Sequence, residues 1–230
     1  MSLVIIIPAL NEAHNIRNAL ASLQAMRARG VRVIVVDGGS SDATATLAAG
    51  MADLVMASAK GRAMQMNAGA SASTDDWLLF LHADSVLPPD ADLHIATAIA
   101  GGKCWGRFDI RITGSHFMFA VISWFMNHRS RLTGIATGDQ GLFMTRRTYE
   151  AVGGFPVQSL MEDVEMCKRL KGARMAGPAL LAERVTTSGR RWQQYGVWRT
   201  ILLMWRLRFQ YWRGTPAAEL HAMYYGKSHG

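Results

Sequence analysis

Three hydrophobic runs, each closed by a polar cluster, constrain this chain more than any other feature. Residues 3–7 run into Pro8-Ala-Leu-Asn11-Glu12, residues 31–36 into Asp37-Gly38-Gly-Ser-Ser-Asp42, and residues 77–81 into His82-Ala-Asp84. Short unbroken β-branched and aliphatic runs belong to strands buried on both faces, the environment of a parallel sheet sandwiched between helices. Ligands of such open sheets bind beyond the carboxyl ends of the strands. Three carboxylate-bearing loops at three such ends therefore converge on one pocket, suited to a cation and to something anionic.

Between these runs the spacing predicts helices over about 12–28, 42–49 and 61–71 and a short strand over 54–57, an alternation that reads as an α/β sheet. Asn11 or Glu12 is placed to cap the first helix, and Asp42 to begin the second. Further on, 106–112 reads as a strand, 117–126 as an apolar helix, 141–145 as a strand and 146–152 as a helix stopped at Gly153-Gly154-Phe155-Pro156; another helix runs from 161 to about 170. A chain of 230 residues, 50% hydrophobic and without a Ser/Pro/Gly-rich linker, predicts one well-buried domain with a C-terminal appendage. Cys104 and Cys167 lack a CxxC partner, so neither a zinc site nor a disulfide framework is expected, and a reduced cytosolic compartment is the simpler reading. Met1 leads directly into a strand, which argues against a signal peptide, and no apolar run approaches the roughly 20 residues of a spanning helix.

The net charge of +8 is concentrated toward the C-terminus: residues 184–213 hold seven arginines and no acidic residue. Such a stretch attracts phosphates on a nucleotide, a nucleic acid or a membrane surface, and is equally read as a solvated basic helix. Within it Trp198, Trp205 and Trp212 recur every seven residues and form one helical stripe with Ile201, Leu202 and Phe209, flanked by Arg199, Arg206, Arg208 and Arg213. Packing on the same domain or on a second subunit is the first expectation for this stripe. An interfacial membrane helix is the sharper one.

Individually, the polar clusters leave alternatives open. Asp37-Gly38-Gly39 is a turn with a helix cap or a close approach to a ligand. Asp84 caps a helix or offers a hard oxygen ligand to Mg²⁺ or Mn²⁺, with His82 pointing the same way two residues earlier. Glu162-Asp163 opens a helix or supplies a general base. Lys60-Gly61-Arg62 and Arg190-Arg191-Trp192 lie against phosphates or in solvent. No GxGxxG follows the first strand, which excludes a dinucleotide fingerprint.

As an ordered set, Pro-Ala-Leu-Asn-Glu, Asp-Gly-Gly-Ser-Ser-Asp, Gly61-Arg-Ala-Met-Gln-Met-Asn67, His-Ala-Asp, Glu-Asp and Arg-Arg-Trp resemble the family 2 glycosyltransferases of the GT-A fold, over roughly residues 3–192. Leu-His-Ala-Asp-Ser, Gly138-Asp-Gln-Gly141 and Met161-Glu-Asp-Val look closest to a compact bacterial subgroup of uncharacterised transferases, some associated with radical-SAM or selenium-domain proteins. The resemblance implies a Rossmann-like, mixed but mostly parallel sheet in a domain of residues 1–192, followed by a basic, aromatic helical extension over 193–230. It implies that Pro8, Asn11, Glu12 and Gly38 surround the nucleotide of a nucleotide-diphosphate sugar, UDP- or GDP-linked, that Asp37 recognises the base, and that Arg62 and Asn67 line the donor site. Asp84 matches the last Asp of the DxD motif that holds Mn²⁺ or Mg²⁺. Asp163, beside Glu162, matches the catalytic base of an inverting displacement, and Arg191 and Trp192 the end of a QxxRW motif at the diphosphate. Gly138, Asp139 and Gln140 are expected on the acceptor side. Two positions depart from the pattern: His82 replaces the first Asp of DxD, and Ser188 replaces the leading Gln of QxxRW, which points to a single nonprocessive transfer. The acceptor is unidentified, with a lipid-linked one in keeping with the aromatic stripe, and the expected location is the cytoplasm, peripheral to the inner face of the membrane. The rivals are a nucleotidyltransferase, whose Gly-rich Arg/Lys first loop is missing here, and a basic nucleic-acid-binding module, which leaves Asp37, Asp84 and Asp163 unexplained.

Overall fold

Alternation across the pleat accounts for the unbroken hydrophobic runs. In β1 (Leu3–Ala9), Ile5 and Ile7 enter one core layer and Val4 and Ile6 the other. β2 (Arg32–Asp37) divides likewise, Val33 and Val35 against Ile34 and Val36. A strand covered by helices on both sides needs an apolar residue at every position. The first layer is covered by α1 (Ile16–Ala28) through Ile16, Leu20, Leu23 and Met26, and short α2 (Thr44–Ala48) lies beside it. Beyond β3 (Leu54–Ala57), α3 (Arg62–Ser71) covers the second layer through Ala63, Met66 and Ala70. The computed structural model describes residues 2–173 and 176–226.

Helix α1 begins four residues later than the sequence pattern indicates. Asn11 adopts a positive φ of 54°, and its side chain accepts the Ser41 N–H instead of capping the helix. The N-cap position falls to Asn15, which makes no side-chain cap.

β4 (Trp77–Phe80), β6 (Trp105–Thr113), α5 (Met118–Thr133), β7 (Leu142–Thr145), α6 (Arg146–Ala151) and α7 (Glu162–Gly172) follow the expected order, with α5 seven residues longer at its end than the apolar run. Among the strands and α-helices up to residue 188, three were not legible: β5 (Ser85–Val86), α4 (Ala91–Ala100) and β8 (Ala179–Ser188). β8 carries Glu183, Arg184 and Thr186 among its apolar residues, is only partly buried, and pairs with β6 across a register shift between Phe108 and Asp109. Such an irregularity erases the two-residue period that marks a strand in sequence.

The eight strands lie in the order β3-β2-β1-β4-β7-β6-β8-β5. β3, β2, β1 and β4 are mutually parallel, as are β6 and β8; β7 runs antiparallel to both β4 and β6, and β5 to β8. The sheet is thus mixed, largely parallel and flanked by helices. Because β7 is antiparallel with Leu142 opposite Phe80, the chain entering β7 lies at the same edge as the chain leaving β4. A 3-10 turn, Gly138–Gln140, is thereby set beside His82.

Three helices end the described chain: α8 (Arg190–Tyr195), α9 (Val197–Trp212) and α10 (Ala217–Tyr225). α9 packs inward through Val197 against Ile110, Ile112, Phe119 and Ile122, and through Leu207, which with Leu220 of α10 meets Leu160. The tryptophan stripe has the anticipated period and faces away from the domain, which overturns the same-domain packing given as one half of its first expectation. Trp198, Leu202, Trp205, Phe209 and Trp212 are 56–78% exposed, and only Ile201 of that set is partly buried. Among the described residues no helix is long and apolar enough to cross a membrane.

Candidate functional site

The β1 and β2 loops are stitched together at the carboxyl edge of the sheet. The Asn11 N–H donates to Ser40 Oγ at 2.9 Å, the Glu12 N–H to Thr44 Oγ1 at 2.8 Å and the Ala13 N–H to Asp42 at 3.1 Å. Asp37, buried, accepts from the Gly39 and Ser40 N–H groups and the Ser40 hydroxyl, so its carboxylate fixes its own turn at the end of β2. Beneath this junction lies a residue to which the sequence pattern assigned no role. The amide of Gln65 donates to Ala9 O at 2.7 Å and Val36 O at 2.8 Å, clamping the ends of β1 and β2, and Gly38 passes over it where a Cβ would lie 3.0 Å from the Gln65 side chain. The available signal was a polar residue on the face of α3 that also carries Ala63 and Met66. Asn67, two residues on, holds the Phe155 backbone through both its amide groups and accepts from the Tyr149 hydroxyl. It thus shapes the 153–156 turn.

Beyond β4, His82, Asp84 and Asp139 bring one ligand atom each within 4.8 Å of one another, and His82 Nδ1 lies 2.9 Å from Asp139 Oδ1. Burial and the charge of Arg62 oppose protonation of His82, yet Asp139 and Asp84 outweigh them and its pKa is raised. Asp139 is lowered, its burial being overcome by His82, Arg62 and Arg208. One imidazole nitrogen and two carboxylates form a donor set compatible with a first-row divalent cation such as Mn²⁺ and, through the carboxylates, with Mg²⁺. Asp139 was expected on the acceptor side; the antiparallel entry of β7 joins it to the two β4-loop residues.

Gly138 ties this cluster to the next. A Cβ there would lie 2.2 Å from His82 Nε2, so only glycine admits the imidazole ring at this distance. Its N–H donates to Asp163 Oδ2 at 2.7 Å, orienting the carboxylate at the start of α7. Glu162, beside it, is buried, and its pKa is raised by burial and then by the Asp163 charge, against the pull of Arg62. Met66, Phe80, His82, Gly138, Leu142, Phe155, Glu162 and Asp163 line one cleft. Gln140 turns the other way: its side chain, fully buried, accepts from the Thr137 N–H and secures the 3-10 turn from within.

The basic residues approach from two sides. Arg62, an exposed residue, opens α3, and the desolvation by its neighbours is outweighed by the charges of Glu162, Tyr225 and Asp139, so that its pKa is raised. Arg190 reaches across from α8 to Glu12 at 3.6 Å. Arg191 is held by α10, its guanidinium 3.6 Å from the centre of the Tyr224 ring and donating to Tyr224 O at 2.9 Å, while its buried Nε meets no partner. Trp192 packs beside Ile110 and Phe119. No sequence signal linked Tyr224 to Arg191, because their contact depends on the turn between α9 and α10.

Comparison with solved structures places this geometry among proteins of one fold. The chain aligns with the structure of S. aureus TarS 1-349 in complex with UDP at a TM-score of 0.66 and 17% identity, over 82% of this chain and 60% of that one. It aligns with the mannosyltransferase PcManGT from Pyrobaculum calidifontis, in complex with GDP-Man and Mn²⁺, at 0.58 and 19%, over 80% and 56%. For glucosyl-3-phosphoglycerate synthase from Mycobacterium tuberculosis, in complex with Mn²⁺, UDP and phosphoglyceric acid, the values are 0.61 and 16%, over 81% and 69%. No curated protein sequence matches the chain. The glycosyl transferase family 2 profile matches residues 4–152, from β1 through the end of α6, and the likeness extends to the family without singling out a subgroup. Matched over more than half of its length, with the motif loops gathered at one sheet edge, the chain belongs to glycosyl transferase family 2.

Proposed function

We propose that this protein is a divalent-metal-dependent glycosyltransferase that moves a sugar from a nucleoside-diphosphate sugar, UDP- or GDP-linked, to an acceptor hydroxyl in single, inverting transfers. The observation that carries this reading is the gathering of His82, Asp84 and Asp139 beside the Glu162-Asp163 helix start in a protein of this family. Solved relatives bind UDP, or GDP-Man and Mn²⁺, which supports the donor class. His82, Asp84 and Asp139 would hold Mn²⁺ or Mg²⁺, and such an ion supplies stabilisation of the charge that develops on a leaving diphosphate.

The chain's own residues do the rest. Pro8, Asn11, Glu12, Asp37 and Gly38 surround the nucleoside, and Arg62 and Arg191 face the diphosphate. Asp163, oriented by the Gly138 N–H, takes the proton of the acceptor hydroxyl as it attacks the anomeric carbon and the bond to the diphosphate breaks. Burial and then the neighbouring Asp163 charge raise the pKa of Glu162, and the base role falls to Asp163 because it is the carboxylate that the Gly138 N–H orients. A hydroxyl attacking from the face opposite the leaving group, with Asp163 removing its proton, gives inversion. The exposed tryptophan face of α9 supports a peripheral membrane location, and two free thiols are in keeping with the cytosol.

Binding of UDP, GDP, CDP and dTDP, each with and without Mn²⁺, to wild type and Asp84→Asn tests this reading. Manganese-dependent binding of one nucleotide, weakened at least about tenfold by Asp84→Asn, is the expected result. Absence of binding by all four would overturn it.

A further inference from the structure

Arg129, on the last turns of α5, lines a surface recess together with Trp205, Arg206, Arg208 and Phe209 of α9. Its Nε and Nη2 are buried; among the described residues they meet no hydrogen-bond partner, and neither Arg129 nor Arg208 forms an ion pair. Burial and the charge of Arg208 push Arg129 down to about 10, with Asp163 acting in the other direction. Arg208 is also lowered by burial, and feels both Asp163 and Asp139. Two cations that form no ion pair among the described residues thus line one recess, within the electrostatic reach of Asp163.

A buried guanidinium without acceptors is costly, and the cost disappears when a ligand supplies oxygens. Two forked donors suit a phosphate, whose oxygens accept from both. The rim of the recess is apolar, since Trp205 and Phe209 are exposed and continue the outward stripe of α9. No carboxylate within residues 184–213 competes with such an anion for the guanidiniums.

We infer that this recess is a docking site for a phospholipid headgroup, with the phosphate between Arg129 and Arg208, the acyl chains along Trp205 and Phe209, and a hydroxyl of the head directed toward Asp163. The inference rests on the proposed transferase reading and names its acceptor class: a hydroxyl-bearing, phosphate-headed lipid. Charge complementarity and the aromatic rim select this occupant over a soluble phosphate, which would leave the aromatic face unused.

The full chain is titrated with dihexanoyl phosphatidylglycerol below its micelle concentration, following tryptophan fluorescence. Dihexanoyl glycerol, which lacks the phosphate, and glycerol 3-phosphate, which lacks the chains, are titrated in parallel. The Arg129→Gln/Arg208→Gln variant is compared with Arg199→Gln/Arg213→Gln, which removes the same charge from other turns of the C-terminal region. Saturable binding of the phospholipid is expected, weakened at least about tenfold in the first variant and less than about threefold in the second. Both partial ligands are expected to bind at least about tenfold more weakly than the phospholipid. Unchanged nucleotide binding in the first variant shows that its fold and donor site are intact. No saturable binding, equal binding of dihexanoyl glycerol or of glycerol 3-phosphate, or equal weakening by the two variants would overturn the inference. So would loss of nucleotide binding in the first variant at an unchanged unfolding temperature, which would assign the arginines to the donor. If wild type binds phospholipid and no nucleotide at all, the transferase reading fails while the lipid site stands.

Discussion

Substitution of Gly138 by Ala tests the packing on which the candidate metal and base residues both depend. The added methyl would lie 2.2 Å from His82 Nε2 and 2.6 Å from Cε1, so either the ring or the 3-10 turn must retreat by about 1 Å to restore van der Waals contact. Overpacking of this kind costs about 1–3 kcal/mol. If the ring moves, His82 leaves Asp139; if the turn moves, the Gly138 N–H leaves Asp163. Each is a hydrogen bond to a charged group, contributing about 1.5–3 kcal/mol. A net loss of about 3 kcal/mol lowers the unfolding temperature of a chain this size by roughly 6–12 °C. Manganese-dependent nucleotide binding should weaken with it, because either movement separates His82 from Asp139. Thermal unfolding of Gly138→Ala, His82→Ala and the double variant separates the causes. Removing the imidazole clears the space, so adding Gly138→Ala to His82→Ala should cost less than about 1 kcal/mol. An unaltered unfolding temperature in Gly138→Ala, or the same penalty with and without the His82 ring, would refute the reasoning.

Other expectations follow from contacts around the site. Gln65→Leu leaves the carbonyls of Ala9 and Val36 without their buried donor and should destabilise the protein by about 1–3 kcal/mol in urea unfolding; a change under about 0.5 kcal/mol would show that the clamp contributes nothing. Tyr224→Ala removes the ring that holds Arg191, a cation–π contact of about 1–2 kcal/mol, and should raise nucleotide-diphosphate affinity by freeing the guanidinium; weaker binding, measured by titration calorimetry, would place Tyr224 on the donor instead. Asp53 accepts from Arg27 and the Val33 N–H, and the Arg27 hydrogen bond lowers its pKa against burial. A depressed folded-state pKa gives a stabilisation that is complete above the ordinary aspartate value near ~4 and fades as pH falls through the folded value. Asp53→Asn should therefore lower stability at neutral pH and flatten its acid dependence, as followed by unfolding between neutral and acidic pH. An identical acid limb in both proteins would sink this assignment.

The parallel half of the sheet was legible because burial on both faces forces an apolar residue at every position. Asp37 and His82 were legible as edge residues for the same reason, since each directly follows a run that must end where the sheet ends, and Asp84 lies two residues beyond His82. β8 was not, because a strand that is half exposed and opposite a bulge loses its period. The Trp198, Trp205 and Trp212 stripe was legible as a stripe but not in its direction. α9 carries a second inward set, Val197, Thr200 and Leu207, and periodicity identifies faces without saying which one finds a partner.

By itself the sequence determined the β/α alternation, the family motifs and the identity of the acidic loop residues, all of which depend on local spacing and on the two-residue and 3.6-residue repeats of the backbone. Only the tertiary structure decided which of them meet. Asp139 joins His82 and Asp84 because β7 enters the sheet antiparallel, Gly138 is needed because the imidazole packs on its Cα, Arg191 is held by Tyr224 because α10 folds back, and Arg129 lies beside Arg208 because α5 packs on α9. These contacts join residues distant in the chain, and their geometry is set by strand order and helix packing, which no local pattern encodes.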